Sequence, residues 1–477
     1  MLQDKGIKKL SELKNGFTHS WLEPDFILRS LKCFSFSNLC KAIAPIKLKG
    51  YSFESIFSIL ISLSFLGVNS VNGLSGHIEA KKDVFYRLKN NFKINWRIIL
   101  WFFCKQFINI TNAEHADNKG LKCLIFDDTL IPKTGKFIEK VSYVWDHVQH
   151  RFVLGYKLLL MGYWDGTSFL PLDFSLHREQ GKNKEHPFGL RKKDYNNQYK
   201  KKRDKATKSY ERVKEVDESK IISLIKMFKR AISKGLKIDY VLADSWFTCD
   251  ALIEAVTKVK NQNIHLIGMY NIVKTKFLFN GKYQTYSQIR NCLGKAKRCR
   301  SLKLYYLQAN VEYKGKRIQL FFSKQGKRGK WKVFITTNTT ISFIELIKIY
   351  QIRWSIEVFF KEAKQLLKMG KCQSNDFDAQ IADLTTTMIQ HIILTLRYRF
   401  DTYESKGKLF DAVKDEVVMR KLDERLWELF VAIISIFAEL IDDIDENEIL
   451  EKIFNTDWAL ERLEKIFFTK DFINKAA

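Results

Sequence analysis

Several features are scarce or missing in this sequence, and each absence excludes a class of protein. Among 477 residues there are eight cysteines, and none forms a C-x-x-C motif or stands at zinc-finger spacing from a histidine. We therefore expect reduced thiols in a cytoplasmic protein, not zinc ligands or a disulfide framework. His147 and His150 form an isolated H-x-x-H motif, for which a surface or core role is favoured over a metal site.

Long apolar runs are missing as well. The first residues, "MLQDKGIKKLSELKN", are charged and contain no apolar segment of the kind found in signal peptides. Residues 55–78 lack charged side chains, but Ser, Asn and Gly interrupt them, which predicts a buried helix and a turn instead of a membrane span. With 5 Pro, 22 Gly and no repeat, the chain is expected to fold into two to four globular domains.

Acidic residues are too few to balance the basic ones. The formal net charge is +28, which predicts a polyanionic partner, most commonly nucleic acid. The imbalance is concentrated in residues 271–340, where short β-runs carry seventeen Lys or Arg and one acid, Glu312. This predicts a basic β-rich element that grips nucleic acid. Residues 411–465 have sixteen acids and seven bases, which fits packing or subunit contact better.

The periodicity of apolar residues changes along the chain. Residues 1–115 have helical spacing, which predicts a DNA-binding module or, as the less favoured alternative, a packing domain. From Leu121 three successive apolar runs predict an antiparallel meander, and alternating helices and strands follow. A basic polar stretch at 189–215 is expected to be exposed, either as a solvated insertion or as a contact to a phosphate backbone.

Three carboxylates stand at positions that suit catalysis. Asp128 and Asp244 each end an apolar strand, and Glu357 lies on a predicted helix. Carboxylates that converge repel one another unless cations lie between them, and hard oxygen ligands suit Mg²⁺ or Mn²⁺. A pair of such ions is a common device for in-line phosphoryl transfer. Asp127 faces the opposite side of the strand from Asp128, so one of the two is the ligand, and Asp128 is favoured.

The stretch "YQIRWSIEVFFKEAK" combines both charge signs on one predicted helix. On a helical wheel Tyr350, Arg353, Glu357 and Lys364 fall at about 0°, 300°, 340° and 320°. A phenol, a guanidinium, a carboxylate and an ammonium therefore share one narrow stripe. This stripe is either a surface ladder of ion pairs or a site that handles phosphate.

Together these motifs resemble the DDE transposases of bacterial insertion sequences, in the cut-and-paste group with a Y-x2-R-x3-E-x6-K signature. Tyr350, Arg353, Glu357 and Lys364 match that spacing without a gap. The segments "FDDT" and "LADSWF" are similar to the strands that carry the first and second Asp. The resemblance covers about residues 120–400.

The resemblance implies an α/β fold in which an RNase H-like catalytic core is interrupted by a β-rich insertion and flanked by helical domains. The implied boundaries are 1–115 (helical), 116–271 with 341–400 (core), 272–340 (insertion) and 401–477 (helical). It also implies that Asp128, Asp244 and Glu357 hold two Mg²⁺ or Mn²⁺ ions.

In such enzymes the other signature residues contact DNA. The resemblance gives Tyr350, Arg353 and Lys364 the role of phosphate ligands, and it gives Trp331 the role of stacking on a flipped base, with a core position as the alternative. Trp354 is expected to be a packing residue.

The activity implied by the resemblance is transposition. The protein would bind terminal inverted repeats in double-stranded DNA, hydrolyse the phosphodiester at each end and transfer the 3′-hydroxyl to target DNA. It would act as a homodimer that pairs two ends, in the bacterial cytoplasm and on the nucleoid when bound to DNA. A nuclease that never joins strands and a domesticated, inactive DNA-binding protein remain alternatives.

Overall fold

A computed structural model describes most of the chain: residues 26–43, 51–65, 82–114, 120–271, 275–372, 374–400 and 405–414, with single positions 71, 434, 449, 452, 453, 456 and 458. The chain divides into two compact units. One comprises 1–33, 65–67 and 403–477, and the other comprises 34–64 and 68–402. Helices between 36 and 114 thus belong to the same unit as the sheet, and the sequence-based domain boundaries stay predictions.

The described helices and strands alternate in the middle of the chain. The helices are α1 (Phe26–Cys33), α2 (Phe36–Ile43), α3 (Phe53–Ser62), α4 (Asp83–Lys89), α5 (Trp96–Glu114), α6 (Lys192–Asn196), α7 (Lys208–Glu215), α8 (Lys220–Ser233), α9 (Asp250–Thr257), α10 (Tyr286–Cys292), α11 (Phe343–Gln351), α12 (Trp354–Gln365) and α13 (Phe377–Phe400). The strands are β1 (Cys123–Pro132), β2 (Ser142–Asp146), β3 (Arg151–Trp164), β4 (Phe169–His177), β5 (Tyr240–Ala243), β6 (His265–Tyr270), β7 (Lys276–Phe279), β8 (Lys282–Thr285), β9 (Lys297–Cys299), β10 (Leu304–Tyr313), β11 (Lys316–Gln325) and β12 (Lys332–Thr336). No helix in these described ranges is both long enough and apolar enough to cross a membrane.

All twelve strands join one mixed sheet, which agrees with the predicted α/β class. The strand order is β2-β3-β1-β5-β6-β12-β11-β10-β7-β8, with β4 beside β3 and β9 beside β10. Strand β1 is antiparallel to β3 and parallel to β5, and β5 is parallel to β6. The basic strands from β7 to β12 extend this sheet through the antiparallel pair β12–β6.

The centre of the sheet follows from its sequence. Residues 123–126 of β1 and all four residues of β5 are buried, as expected for central strands covered on both faces. The predicted meander forms from β1, β3 and β4, and it also includes the short strand β2, which the sequence analysis missed. The missed strand, "SYVWD", is too short to show a clear alternation.

Helices cover both faces of this part of the sheet. On one face Phe169 of β4 contacts Phe359 of α12 and His391 of α13. On the other face lies α8, whose buried residues Leu224, Met227, Phe228 and Ala231 follow a helical period. Asp173 of β4 links α5 and α8 to the sheet, because its carboxylate accepts hydrogen bonds from Arg97 of α5 and Arg230 of α8, at 2.8 and 2.9 Å. Breaking such a buried network is strongly destabilising.

Most of the basic stretch 189–215 is exposed, as expected, but some of its cations are not. Lys201 and Arg203 are largely buried in ion pairs with Asp376 and Asp378, and Arg203 also binds Glu139 through both carboxylate oxygens. These pairs tie the stretch to the start of α13. The sequence shows the charges of this stretch but not the acids that neutralise two of them.

The buried His177, at the end of β4, should make the folding stability depend on pH. Burial lowers the pKa of His177 from 6.5 to about 4, so the unfolded chain binds a proton below pH 6.5 that the folded chain does not. Folding stability is therefore lost as the pH falls from 6.5 towards 4. At pH 5 this loss is about 2 kcal/mol. Urea unfolding at pH 7 and pH 5 should show a smaller loss for His177→Asn than for wild type, and equal losses would contradict the assignment.

Candidate functional site

The site is built around the ends of two adjacent parallel strands. The last paired residues of β1 and β5 are Phe126 and Ala243. The next residues along the two strands, Asp127 and Asp244, therefore stand side by side and face the same side of the sheet. The Asp244 carboxylate also accepts the backbone N–H groups of Trp246 and Phe247, at 2.9 and 3.0 Å, which fixes the loop after β5.

Asp128 lies on the opposite face of β1. Its carboxylate forms an ion pair with Lys220, the first residue of α8. Its backbone N–H donates to Asp127 Oδ1 at 2.8 Å. The sequence analysis favoured Asp128 as the partner of Asp244 and Glu357, whereas in the structure Arg353 links Asp127 to Glu357. Strand register places the two residues on opposite faces of β1, and the choice of metal ligand between them stays a prediction.

The signature segment is not one continuous helix. Helix α11 ends at Gln351 and α12 begins at Trp354, and the intervening turn has i→i−3 hydrogen bonds from Ile352 to Ile349 and from Arg353 to Tyr350. This tightening shifts the wheel slightly. Tyr350 therefore lies in the last turn of one helix, while the other three signature residues belong to the next helix or to the turn before it.

Arg353 joins the two helices to the strand. Its Nη1 donates to Asp127 Oδ2 at 3.0 Å, and its Nη2 donates to Glu357 Oε1 at 2.5 Å. Its guanidinium carbon lies 5.7 Å from the centre of the Tyr350 ring. Arg353 thus links Asp127 with Glu357, and its buried Nε has no acceptor among the described residues.

Lys364 reaches the same face of β1 two residues further along. Its Nζ donates to Thr129 Oγ1 at 2.6 Å, and Thr129 and Asp127 share a strand face. Burial lowers the pKa of Lys364. Within the described ranges no carboxylate forms an ion pair with this ammonium, so Lys364 has capacity for a further anionic partner.

Negative charge is concentrated at this edge of the sheet. Burial raises the pKa of Asp127 to about 7 against the opposing effect of Arg353, and the carboxylates of Asp244 and Asp128 raise it further. Burial likewise raises the pKa of Asp244. Burial also raises the pKa of Tyr350 to about 12, with Asp244 and Asp127 contributing. Desolvated carboxylates that repel one another are typical of functional sites that attract a cation.

The donor set fits a divalent cation, although the side chains are not arranged around one. Among the described residues no three His, Cys, Asp or Glu side chains are grouped closely enough to hold a metal ion. The guanidinium of Arg353 lies between Asp127 and Glu357 and supplies the positive charge there. Asp127, Asp244 and Glu357 are the carboxylates that could hold a metal, and their hard oxygen atoms suit Mg²⁺ or Mn²⁺.

Three tryptophans border the site or the basic strands. Trp331, just before β12, is partly exposed, with Lys324 Nζ at 4.7 Å and the Arg290 guanidinium at 5.7 Å from its ring. A core position for Trp331 is thus wrong. Trp354 is 61% exposed, so the expected packing role is wrong too. Trp246 is 57% exposed and was missed, although its position two residues after Asp244 was a usable signal.

Comparison with known proteins agrees with part of this picture. Residues 63–268 match the family model described as DDE superfamily endonuclease. The match includes Asp127, Asp128 and Asp244, covers less than half of the chain and ends before the signature helices. It supports a nuclease or transposase of DDE type, and such enzymes act on DNA and generally use divalent metals. No curated protein matches the chain.

Proposed function

We propose that this chain is a DNA transposase that cuts at the ends of its own element and joins the freed 3′-hydroxyl to target DNA. One observation carries the proposal. Asp127 and Asp244 stand side by side on parallel strands, and Arg353 links Asp127 to Glu357, in a chain with a DDE endonuclease match. The Asp, Asp, Glu order and the signature spacing point to the same class.

An RNase H-like core is the proposed scaffold. The order β4-β3-β1-β5-β6, with β1 antiparallel to β3 and parallel to β5, supports it. Strands β7–β12 would form the insertion between the second Asp and the Glu helix. Their basic side chains and the cation-flanked Trp331 suit a surface that holds DNA.

The proposed metal ligands are Asp127, Asp244 and Glu357, which differs from the sequence-based choice of Asp128. Two Mg²⁺ ions bound there would activate the attacking water or 3′-hydroxyl and stabilise the leaving oxygen. Asp244 is already oriented by the N–H groups of its loop, and Glu357 by Arg353. Because these contacts already orient Asp244 and Glu357, the two carboxylates would have to move less in order to converge on the metal ions.

Arg353, Tyr350 and Lys364 would contact the DNA backbone. Arg353 has a buried Nε without an acceptor among the described residues, and its planar fork suits a phosphate. Lys364 is bonded to a neutral hydroxyl and can add a phosphate as a second partner. Two copies of the protein would hold two terminal inverted repeats together before both join the target.

The test is a cleavage and joining assay with DNA that carries the element's terminal repeats. With Mg²⁺ we expect cleavage at the repeat ends that leaves a 3′-hydroxyl, followed by joined products when a supercoiled plasmid is added. With EDTA both products should vanish while DNA binding persists. Cleavage without joining would favour a nuclease, and binding without cleavage under any divalent metal would contradict the proposed activity.

A further inference from the structure

The loop after β5 carries an aromatic side chain that packing does not explain. Trp246 is 57% exposed, whereas its neighbour Phe247 is 1% exposed. The loop is held by four hydrogen bonds to Asp244: its carboxylate accepts N–H groups from Trp246 and Phe247, and its carbonyl accepts the backbone N–H of Thr248 at 3.0 Å and the Thr248 hydroxyl at 2.6 Å. A large apolar ring is thus held in solvent by a rigid turn, which is typical of a binding surface.

A cation stands against this ring. Lys220 Nζ lies 4.7 Å from the centre of the Trp246 ring, and the same ammonium pairs with Asp128. Lys220 is the first residue of α8, a helix of fourteen residues whose N-terminus adds partial positive charge. Ring, ammonium and helix terminus therefore meet beside Asp128, on the face of β1 opposite to Arg353 and Lys364.

Space is available next to this loop. A cavity adjoins it between the starts of α8 and α9, and its lining includes Ile221, which follows Lys220, and Ser245 and Thr248 of the loop.

We propose that Trp246 and Lys220 form a nucleotide subsite that takes one unpaired nucleobase and its adjacent phosphate. The base would stack on the indole, and Lys220 would share its charge between Asp128 and the phosphate. This rests on the proposed function, because it assigns the subsite to DNA that enters the same site. It adds a DNA contact on the Asp128 face of β1, which the signature residues do not reach. Stacking of this kind tolerates any base sequence.

The experiment measures DNA binding by fluorescence anisotropy in EDTA, where no cleavage occurs. The probes are a 20-base-pair duplex with an overhang of three thymidines and the same duplex with three abasic residues in the overhang. Wild type should bind the thymidine overhang about tenfold more tightly, since stacking one base is worth about 1–3 kcal/mol. Trp246→Phe should keep this preference and Trp246→Leu should lose it.

The lysine is tested with the same probes. Lys220→Met should weaken binding to both overhangs equally and lower the slope of log K against log salt by about one. Lys220→Arg should restore both values. Phe152→Leu is the control, because Phe152 is a similarly exposed aromatic residue, 61% exposed on β3. It lies seven residues, or about 23 Å along the strand, from Leu159, the strand partner of Asp128.

Several outcomes would overturn the subsite. If wild type and Trp246→Leu prefer the thymidine overhang equally, the ring only shields the Lys220–Asp128 pair from water. In that case Trp246→Leu would change the melting temperature of the protein but not its DNA binding. Loss of the preference in Trp331→Leu, with the preference kept in Trp246→Leu, would move base stacking to Trp331, just before β12. The binding assay omits metal, so a protein that never cuts DNA can still lose the overhang preference in Trp246→Leu. Failure of the subsite can therefore be distinguished from failure of the proposed transposase activity.

Discussion

Glu357→Gln should lower metal-dependent cleavage at the element's ends by about three orders of magnitude, while DNA binding stays within about threefold. Charge stabilisation by a bound metal is worth several kcal/mol, and each 1.4 kcal/mol is a factor of ten in rate. The amide oxygen of Gln can still accept the hydrogen bond from Arg353 Nη2, so the fold around α12 should persist. Single-turnover cleavage measures the rate, and a thermal shift with Mg²⁺ or Mn²⁺ measures metal binding.

The matched control lies on the same helix. Glu362→Gln removes the same charge from α12, five residues further along and about 140° around the helix from Glu357. Glu362 lies 3.9 Å from the ring of His391 and faces α13 instead of the strand ends. We expect this variant to cut within about threefold of wild type, because Glu362 faces α13 and lies away from the strand-end carboxylates. Cleavage by Glu357→Gln within tenfold of wild type would refute a ligand role for Glu357.

Asp244, the acid that follows β5, should respond to loss of its charge as Glu357 does. Asp244→Asn should lose cleavage by a similar factor, because Asn keeps an oxygen for the N–H groups of Trp246 and Phe247 but loses the negative charge. Binding in EDTA should be unchanged. A fall in binding that parallels the fall in cleavage would instead mean that Asp244 acts by shaping its loop.

The sequence was informative where apolar patterning and motif order decide the structure. Buried runs such as residues 123–126 and 240–243 identify central strands, because both faces must be covered. The α/β class follows from these runs, whereas the joining of all the described strands into one sheet does not. The spacing of Arg353 and Glu357, four residues apart on a helical path, also gives their contact directly.

Tertiary context explains what the sequence did not reveal. At the break between α11 and α12, Ile352 and Arg353 both keep helical dihedral angles. Such a break needs no Pro or Gly, and the sequence has neither at this place. Burial of Lys201 and Arg203 depends on acids more than 170 residues away. The exposure of Trp246 and Trp354 depends on which neighbours the fold brings to them, and indole alone suggests a core position.

The choice between Asp127 and Asp128 depends on such context and gives the sharpest prediction. Asp127→Asn should lower metal-dependent cleavage by about three orders of magnitude, whereas Asp128→Asn should stay within about tenfold of wild type. Asp127 stands beside Asp244 and bonds to Arg353, but Asp128 faces α8 and pairs with Lys220. Both substitutions remove one charge from neighbouring residues of one strand, so each is the control for the other.

A second readout separates a ligand from a residue that only supports the site. In calorimetric titration with Mn²⁺, Asp127→Asn should weaken metal binding strongly, whereas Asp128→Asn should keep it. Asp128→Asn also leaves the Lys220 ammonium without its carboxylate, so it should bind DNA somewhat more tightly at low salt and show a steeper salt dependence. If Asp128→Asn abolishes Mn²⁺ binding and Asp127→Asn does not, then the metal lies on the α8 face, and the register of β1 against β5 does not select the ligand.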